Sequence, residues 1–487
     1  MVFSSESFLF LFLPAFMAIY YAVPFRWRSP VILAGSYLFY GWWRFDYLLL
    51  LFLTTLWAYV MGLLISNNLG TARAKTWLLI GVFGCLSVLG VFKYLNFFID
   101  SAAALFGTTA DGLGVHWRLL LPIGVSFYVF HSISYLMDVY RRDAAATRKF
   151  FDFAAFIALF PQLVAGPILR FKDLAHQFTH RVHSPQLFAD GMSLFIIGLG
   201  KKVILADSIA PLADLAFNTP EPTLLVSWVG SIAYMMQLYF DFSGYSDMAL
   251  GLGLMMGFRF RKNFDTPYIS ASITEFWRRW HISLSVWLRD YLYIPLGGNR
   301  LGTTRTYVNL MTVMVLGGLW HGANWTFVFW GVLHGSLLAF ERATGADKAS
   351  GAWANARTML FVLIGWVAFR AADMSGAVDV WSGMIGLNGV GVPFDIAAQI
   401  STGGLLLLAL AVAVAAFEPR LNAIGRRLYF PSQNVFPTPT GPGAGVVAQP
   451  LTLATSVVPV IVLAGILLIS VMKLAEQSFS PFLYFQF

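Results

Sequence analysis

Ten long apolar runs constrain this chain more than any other feature of its sequence. A helix needs about 20 predominantly apolar residues to cross the hydrocarbon core of a bilayer. Only 11% of the 487 residues are charged, against about 25% in soluble domains. The sequence therefore predicts an all-α polytopic membrane protein with about ten to twelve transmembrane helices. The runs lie at about 7–24, 46–66, 76–98, 119–139, 188–210, 223–246, 324–341, 357–373, 400–418 and 451–472.

Basic residues between these runs predict the orientation, because Lys and Arg collect on the cytoplasmic side of a membrane. Residues 1–24 contain Glu6 and no Lys or Arg, whereas Arg26 and Arg28 follow directly. This pattern predicts a retained first helix with its N-terminus in the periplasm. Residues 259–305 are rich in Arg and are predicted to face the cytoplasm. The net charge of +8 is spread over such loops, which argues against a nucleic-acid-binding protein.

A shorter run at 150–168 lies between two basic clusters and contains Pro161, Gly166 and Pro167. We expect a re-entrant segment there, which a bilayer tolerates only where protein or water surrounds the broken backbone. Residues 430–450, rich in Pro, Gly and Thr, are expected to form a mobile loop. A single membrane domain is predicted. Its parts are N-terminal helices at 1–117, a core at 118–345 and C-terminal helices at 346–487.

Most of the eight histidines are weak candidates for chemistry. His176, His180 and His183 have helical spacing, but no acidic or Cys ligand accompanies them at zinc-site spacing, so no metal site is predicted. His131 and His334 lie in apolar helices. They are second-rank candidates, because an ionisable group inside a membrane is a functional hypothesis by default. The alternative is that both are hydrogen-bonded packing residues.

His321 has a more unusual context, in the glycine-rich and aromatic segment Gly317–Trp325. Trp320 and Asn324 are its polar neighbours there. A neutral imidazole in an apolar wall is suited to proton transfer. Spacing alone leaves a helix-packing role open.

A second dense segment, Ser272–Tyr291, predicts one amphipathic helix at the cytoplasmic boundary, with Glu275, Arg279 and Ser283 on one face. The alternative is an ordinary helix at the lipid surface. Arg278, Arg279, His281 and Arg289, close to several hydroxyl groups, would suit an anionic donor such as the phosphates of coenzyme A.

The segment Gln237–Asp247 places Asp241 and Asp247 beside hydroxyl groups, among them Ser243 and Tyr245, in an apolar helix. Unpaired carboxylates there are costly, so we expect Arg278 or Arg279 as partners and a structural polar network. A paired-carboxylate catalyst is the minor alternative. The run Gly198–Lys202 is too short for a phosphate-binding loop.

Together these segments resemble the membrane-bound O-acyltransferase family, and within it the alginate O-acetyltransferase branch. The resemblance extends nearly end to end, and its quoted motifs lie at 1–5, 121–127, 160–167, 241–247, 275–281, 319–322 and 480–485. It implies a ring of transmembrane helices with re-entrant segments and amphipathic cytoplasmic helices around a thin core. The family's essential histidine corresponds to His321. Its second active-site position, His or Asn across the family, corresponds to His281.

The resemblance implies an O-acetyltransferase of the bacterial inner membrane. It would pass acetyl groups from a cytoplasmic donor, acetyl-CoA, toward an exopolysaccharide, with alginate as the first candidate and periplasmic acetyltransferases as partners. Acetyl-CoA would be a substrate, and no permanently bound cofactor is expected. His321 would be the base, and His281 would position the donor or stabilise the oxyanion. Donor-binding or supporting roles would fall to Arg278, Arg279, Glu275, Asp241, Ser243, Tyr245, Trp320 and Asn324. Alternatives are an exporter, a scaffold of a polysaccharide synthase, and acetylation of another polymer such as cellulose.

Overall fold

The computed structural model describes residues 1–427 and 457–476, and every regular element in these two ranges is helical. The loop predicted at 430–450 and the motif at 480–485 lie outside the described residues. Within the described part, five helices are long and apolar enough to cross a membrane. They are Tyr47–Asn67, Ala72–Leu105, Ala352–Arg370, Thr402–Ile424 and Val457–Glu476. The prediction of an all-α polytopic membrane protein is confirmed, and the total of ten to twelve spans stays a prediction.

Residues Met1–Val182 form the first of two compact units. Its helices are α1 (Leu13–Ala22), α2 (Arg28–Gly41), α3 (Tyr47–Asn67), α4 (Ala72–Leu89), α5 (Leu95–Leu105), α6 (Val125–Arg141), α7 (Phe150–Ala158), α8 (Phe160–Leu163) and α9 (Phe171–Thr179). The helix of the expected re-entrant segment is interrupted at Leu159, whose ψ of 105° is not helical. All residues from 153 to 170 are buried. Protein therefore encloses this broken backbone, as a bilayer requires.

The second unit comprises the described residues from His183 onward. It contains both histidines of the candidate site. Its helices are α10 (Pro185–Gly200), α11 (Asp207–Asn218), α12 (Leu224–Met255), α13 (Ile273–Arg279), α14 (Ile282–Leu288), α15 (Thr303–His321), α16 (Trp325–Thr344), α17 (Ala352–Arg370), α18 (Met374–Met384), α19 (Phe394–Ala397), α20 (Thr402–Arg427) and α21 (Val457–Glu476).

Two pairs of glycines let α10 and α12 approach backbone to backbone. A methyl group on Gly198 would lie 2.5 Å from the carbonyl oxygen of Gly244, and one on Gly244 would lie 2.6 Å from that of Gly198. Gly191 and Gly251 repeat this reciprocal relationship seven residues away on each helix, at 2.5 Å in both directions. The pairing runs antiparallel. Small residues at such crossings are a common device for close packing of membrane helices, and here they fix α12, which forms one wall of the site.

Candidate active site

His281 lies in a sharp turn between α13 and α14, fully buried. Its backbone is left-handed, with φ 42° and ψ 54°, a conformation that is uncommon for residues other than Gly. The single amphipathic helix predicted over 272–291 is therefore wrong. The chain turns at Trp280 and His281, and Phe276 and Trp280 are buried in protein where a lipid-surface helix would expose them.

The start of α13 is fixed by three side chains. Ser272 caps the helix by accepting the backbone N–H of Glu275 at 3.0 Å, and the Glu275 carboxylate reaches back to the N–H of Ala271 at 2.9 Å. The arrangement is close to a capping box, but the carboxylate accepts the N–H of the residue before the cap, Ala271, and not that of Ser272. Glu341 of α16 adds its buried carboxylate, which accepts the N–H groups of Ile273 and Thr274 at 2.6 and 2.8 Å. The helix that leads into His281 is thus held at its first turn.

The loop before α13 pairs with the turn that carries His281. The N–H of Asp265 donates to the carbonyl of Arg279 at 2.8 Å, and the N–H of Ile282 donates to the carbonyl of Asn263 at 2.9 Å. The Arg279 guanidinium bonds Glu275 at 2.9 Å and donates to the carbonyl of Asp265 at 3.1 Å. Arg279 and Glu275 therefore stabilise the turn by connecting α13 to the loop that precedes it.

His321 is the last residue of α15, and the chain leaves the helix at Gly322, which has extended backbone. A side chain at Gly322 would overlap the ring of Phe327, and one at Gly318 would lie 2.2 Å from the carbonyl oxygen of Phe327. The two glycines therefore let α15 pack closely against the start of α16. This close approach places the imidazole of His321 against the indole of Trp330, with ring centroids 5.4 Å apart.

The two candidate histidines meet, although they lie far apart in the sequence. Their ring centroids are 6.2 Å apart, His281 is fully buried and His321 is 4% exposed. Aromatic rings enclose the pair. Phe242 packs edge-on against His281 with centroids 4.7 Å apart, while Trp320 and Phe369 lie 5.1 and 5.2 Å from His321. Two buried imidazoles enclosed by aromatic rings can exchange protons with a bound substrate, and such an enclosure limits the access of water.

The imidazole of His281 is held through one of its nitrogens. Its Nδ1 lies 3.2 Å from Oδ1 of Asn263, which also accepts the Ser283 hydroxyl at 2.8 Å. Burial lowers the pKa of His281 to about 3, because a charged imidazolium is poorly solvated there. The side chain is therefore neutral at physiological pH.

The carboxylates of α12 pair with lysines, which corrects the expected partners. Lys202 Nζ lies 2.7 Å from Asp241, and Lys201 Nζ lies 2.8 Å from Asp247. Both lysines belong to the π-helical turn Lys201–Ala206. Arg279 binds Glu275 instead. The predicted polar network is present, but its cations are the two lysines of the turn that follows α10. Two adjacent lysines buried in an apolar run need acidic partners.

The remaining predicted residues have separate positions. Arg278 is exposed on α13. Asn324 caps α16 by accepting the N–H of Thr326 at 3.2 Å, and its amide donates to the carbonyl of Ala372 at 2.7 Å. Ser243 and Tyr245 are buried in α12. Asn324 therefore has a structural function here, whereas Arg278 is free to meet a ligand.

The second-rank histidines are hydrogen-bonded packing residues. His131 accepts the backbone N–H of Leu169 at 3.4 Å, and His334 accepts the indole N–H of Trp277 at 3.3 Å.

Sequence reasoning missed several residues of the site. They are Asn263, Lys201, Lys202, Trp330, Glu341 and Phe369. Two of the missed features had a usable signal. Ser272-Ile-Thr-Glu275 is a capping-box pattern that marks a helix start, and lysines inside an apolar run indicate buried acidic partners. Nothing local identified Asn263 or Glu341, because both act on residues distant in the sequence.

Known proteins with similar sequences identify the family of this chain. The model of the membrane-bound O-acyltransferase family matches residues 87–346. The probable alginate O-acetylase of Azotobacter vinelandii is 50% identical, and that of Pseudomonas aeruginosa is 47% identical, each over the full length of both chains. The peptidoglycan O-acetyltransferase of Helicobacter pylori is 36% identical over 80% of this chain and 81% of its own. The chain is an O-acyltransferase of the membrane-bound O-acyltransferase family.

Proposed function

We propose that the chain transfers acetyl groups from acetyl-CoA on the cytoplasmic side of the inner membrane toward an exopolysaccharide outside, with alginate as the polymer. Periplasmic acetyltransferases complete the transfer. The N-terminus lies in the periplasm in this proposal, in keeping with the basic residues that follow the first helix. The names of the relatives support an alginate polymer, since full-length identities of 45–50% are to alginate O-acetylases.

The observation that carries the proposal is the buried pair His281 and His321. Acyl transfer from a thioester needs a base for the attacking hydroxyl and exclusion of water, which would hydrolyse the donor. The aromatic enclosure and the 6.2 Å separation of the two rings leave a reacting hydroxyl within reach of both imidazoles.

The reaction balances with one proton carried by His321. The hydroxyl oxygen attacks the acetyl carbonyl carbon while its proton passes to the His321 imidazole. The tetrahedral intermediate then collapses, the carbon–sulfur bond breaks, and the imidazolium returns its proton to the departing thiolate. An acetyl ester and free coenzyme A result. Exposed Arg278 serves the donor side, where a guanidinium matches the phosphates of coenzyme A.

The test uses purified full-length protein in lipid vesicles with [¹⁴C]acetyl-CoA, the periplasmic partner and unacetylated alginate, and it measures release of free coenzyme A together with label in the polymer. The wild-type protein is expected to do both, and His321→Ala to do neither while remaining folded. His116→Ala is the matched control, because His116 is exposed and bonds only the exposed Asp111 in the described structure. Label transfer that survives His321→Ala, or no coenzyme A release by the wild type, contradicts the proposal. An exporter or scaffold would show no histidine-dependent release.

A further inference from the structure

Asn263, in the loop before α13, holds His281 and its backbone turn in place through hydrogen bonds. It is 1% exposed, and its side-chain oxygen meets three donors. The backbone N–H of Ser283 lies at 3.1 Å, the Ser283 hydroxyl at 2.8 Å and Nδ1 of His281 at 3.2 Å. Its own backbone carbonyl accepts the N–H of Ile282. One side chain thus fixes both the left-handed turn and the imidazole in it.

The orientation of the Asn263 amide follows from the Ser283 backbone. A backbone N–H can only donate, so the amide atom that faces it must be the oxygen and not the NH₂ group. The same oxygen faces Nδ1 of His281. An acceptor opposite Nδ1 requires a proton on Nδ1, because two acceptors repel.

This bonding sets the tautomer of His281. A neutral imidazole with its proton on Nδ1 carries a lone pair on Nε2. In the described part of the chain, Nε2 of His281 is buried and has no hydrogen-bond partner. A buried polar atom of this kind needs a partner, and in a reaction site the partner is substrate.

We propose that Asn263 is a positioning residue that holds His281 in the Nδ1–H tautomer, so that Nε2 accepts a hydrogen bond from the hydroxyl that attacks the acetyl donor. The inference rests on the proposed function. His281 then orients the hydroxyl, and His321 takes its proton. The neutral tautomer has no proton on Nε2, so His281 is not a donor to the oxyanion.

In the two buried histidines outside the site, the unprotonated ring nitrogen already accepts a hydrogen bond from the protein. Trp277 donates its indole N–H to Nδ1 of His334, since an indole nitrogen is a donor only. The neutral His334 ring therefore carries its proton on Nε2. His131 accepts a backbone N–H at Nε2, which puts its proton on Nδ1 and leaves no free lone pair. Among these three buried rings in the described residues, only His281 has an unprotonated nitrogen that receives no hydrogen bond.

The test compares Asn263→Asp with Asn263→Leu in the full-length protein. Aspartate keeps an acceptor opposite Nδ1, but its negative charge stabilises the imidazolium and raises the pKa of His281. Below that raised pKa, Nε2 carries a proton and cannot accept. Other titratable groups near the turn are His321 in the facing ring, Glu275 paired with Arg279, and Asp265 paired with Lys262. Asp241, the residue before Phe242, is paired with Lys202.

Asn263→Asp is expected to lose acetyl transfer at low pH and to regain at least a third of wild-type kcat at high pH, with little change in KM for acetyl-CoA. Asn263→Leu should lose at least tenfold in kcat at every pH. Ser283→Ala removes the hydroxyl that donates to Asn263 and lies 3.5 Å from Nδ1 of His281. It keeps the backbone N–H and introduces no charge, so its pH profile should match the wild type. A merely structural Asn263 would leave the pH profile of Asn263→Asp unmoved, and that result overturns the proposal, whether or not Asn263→Leu folds.

A readout independent of catalysis separates this inference from the proposed function. In protein labelled with ¹⁵N-histidine, the His281 signals are assigned by their loss in His281→Asn. Nε2 is expected to show the shift of an unprotonated nitrogen in the wild type and of a protonated one at neutral pH in Asn263→Asp. A wild-type Nε2 that carries a proton refutes the tautomer even if acetyl transfer is confirmed. Conversely, the correct tautomer with no coenzyme A release contradicts only the proposed function.

Discussion

The carboxylate of Glu341 accepts both the backbone N–H of Thr274, at 2.8 Å, and its hydroxyl, at 2.7 Å. The two residues lie 67 positions apart. This contact ties α16, which packs against His321 through Trp330, to the first turn of α13, which leads into His281. The separation of the two imidazoles therefore depends on a buried carboxylate that contacts neither of them.

Glu341→Ala is expected to destabilise the protein and to reduce acetyl transfer. It leaves the N–H groups of Ile273 and Thr274 buried without an acceptor, at a cost of about 2–3 kcal/mol. Thermal unfolding in detergent micelles, followed by tryptophan fluorescence, measures the loss. The neighbouring Arg342→Ala is the control, because Arg342 is exposed on the same helix. Equal unfolding temperatures for the two variants would show that the contacts of Glu341 with the start of α13 do not stabilise the protein.

The glycine crossing of α10 and α12 predicts a second stability effect. Gly244→Ala forces a methyl group to within 2.6 Å of the carbonyl oxygen of Gly198, so the helices must separate, at a cost of about 1–3 kcal/mol. Gly465→Ala in α21 is the matched control, because a methyl group there meets no atom within 4 Å and favours the helix by about 1 kcal/mol. The expected result is a lower unfolding temperature for Gly244→Ala alone. An unchanged one would refute the close crossing.

Arg278 and Arg279 are neighbours with different predicted phenotypes. Arg279→Gln loses the bond to Glu275 and the hydrogen bond to the Asp265 carbonyl, so it should lower the unfolding free energy by about 1–2 kcal/mol. Arg278→Gln should leave stability unchanged and raise KM for acetyl-CoA several-fold, with a weaker dependence of KM on salt. Thermal unfolding and steady-state kinetics on the same preparations separate the two. A normal KM in Arg278→Gln excludes this residue from donor binding.

The sequence predicted the fold class and the two histidines better than it predicted their surroundings. Apolar runs are local, so they reveal membrane helices directly. The identity of His321 came from its glycine-rich context and the family resemblance. The sequence predicts Arg278 or Arg279, in the Arg-rich segment after α12, as partners of Asp241. In the structure they are lysines, because the glycine pairs bring the turn after α10 against α12.

The turn at His281 shows why the surroundings of the two histidines could not be predicted from the sequence. A helical period fitted Phe276, Trp280 and Leu284, and all three are buried, so the pattern matched burial although the backbone is not one helix. The break depends on backbone pairing with the loop at Asn263 and on a left-handed residue. Neither feature has a marker in the sequence, because the usual signal for a left-handed position is glycine or asparagine.

His281→Asn and His281→Ala should differ in both folding and activity. Asparagine tolerates the left-handed backbone better than most residues. Alanine at φ 42° keeps the strain of about 1 kcal/mol that histidine already carries, and it also loses the packing of the buried ring against Phe242. An asparagine side chain also offers a carbonyl acceptor to the substrate hydroxyl. We therefore expect His281→Asn to unfold near the wild-type temperature and to lose about tenfold in kcat, equivalent to about 1.4 kcal/mol. His281→Ala should unfold at a lower temperature and lose at least about a hundredfold in kcat.

His281→Gly relieves the backbone strain without restoring an acceptor, so it should regain stability and stay inactive. Activity in His281→Gly close to that of His281→Asn would show that the backbone turn, and not the side chain, is what the reaction needs.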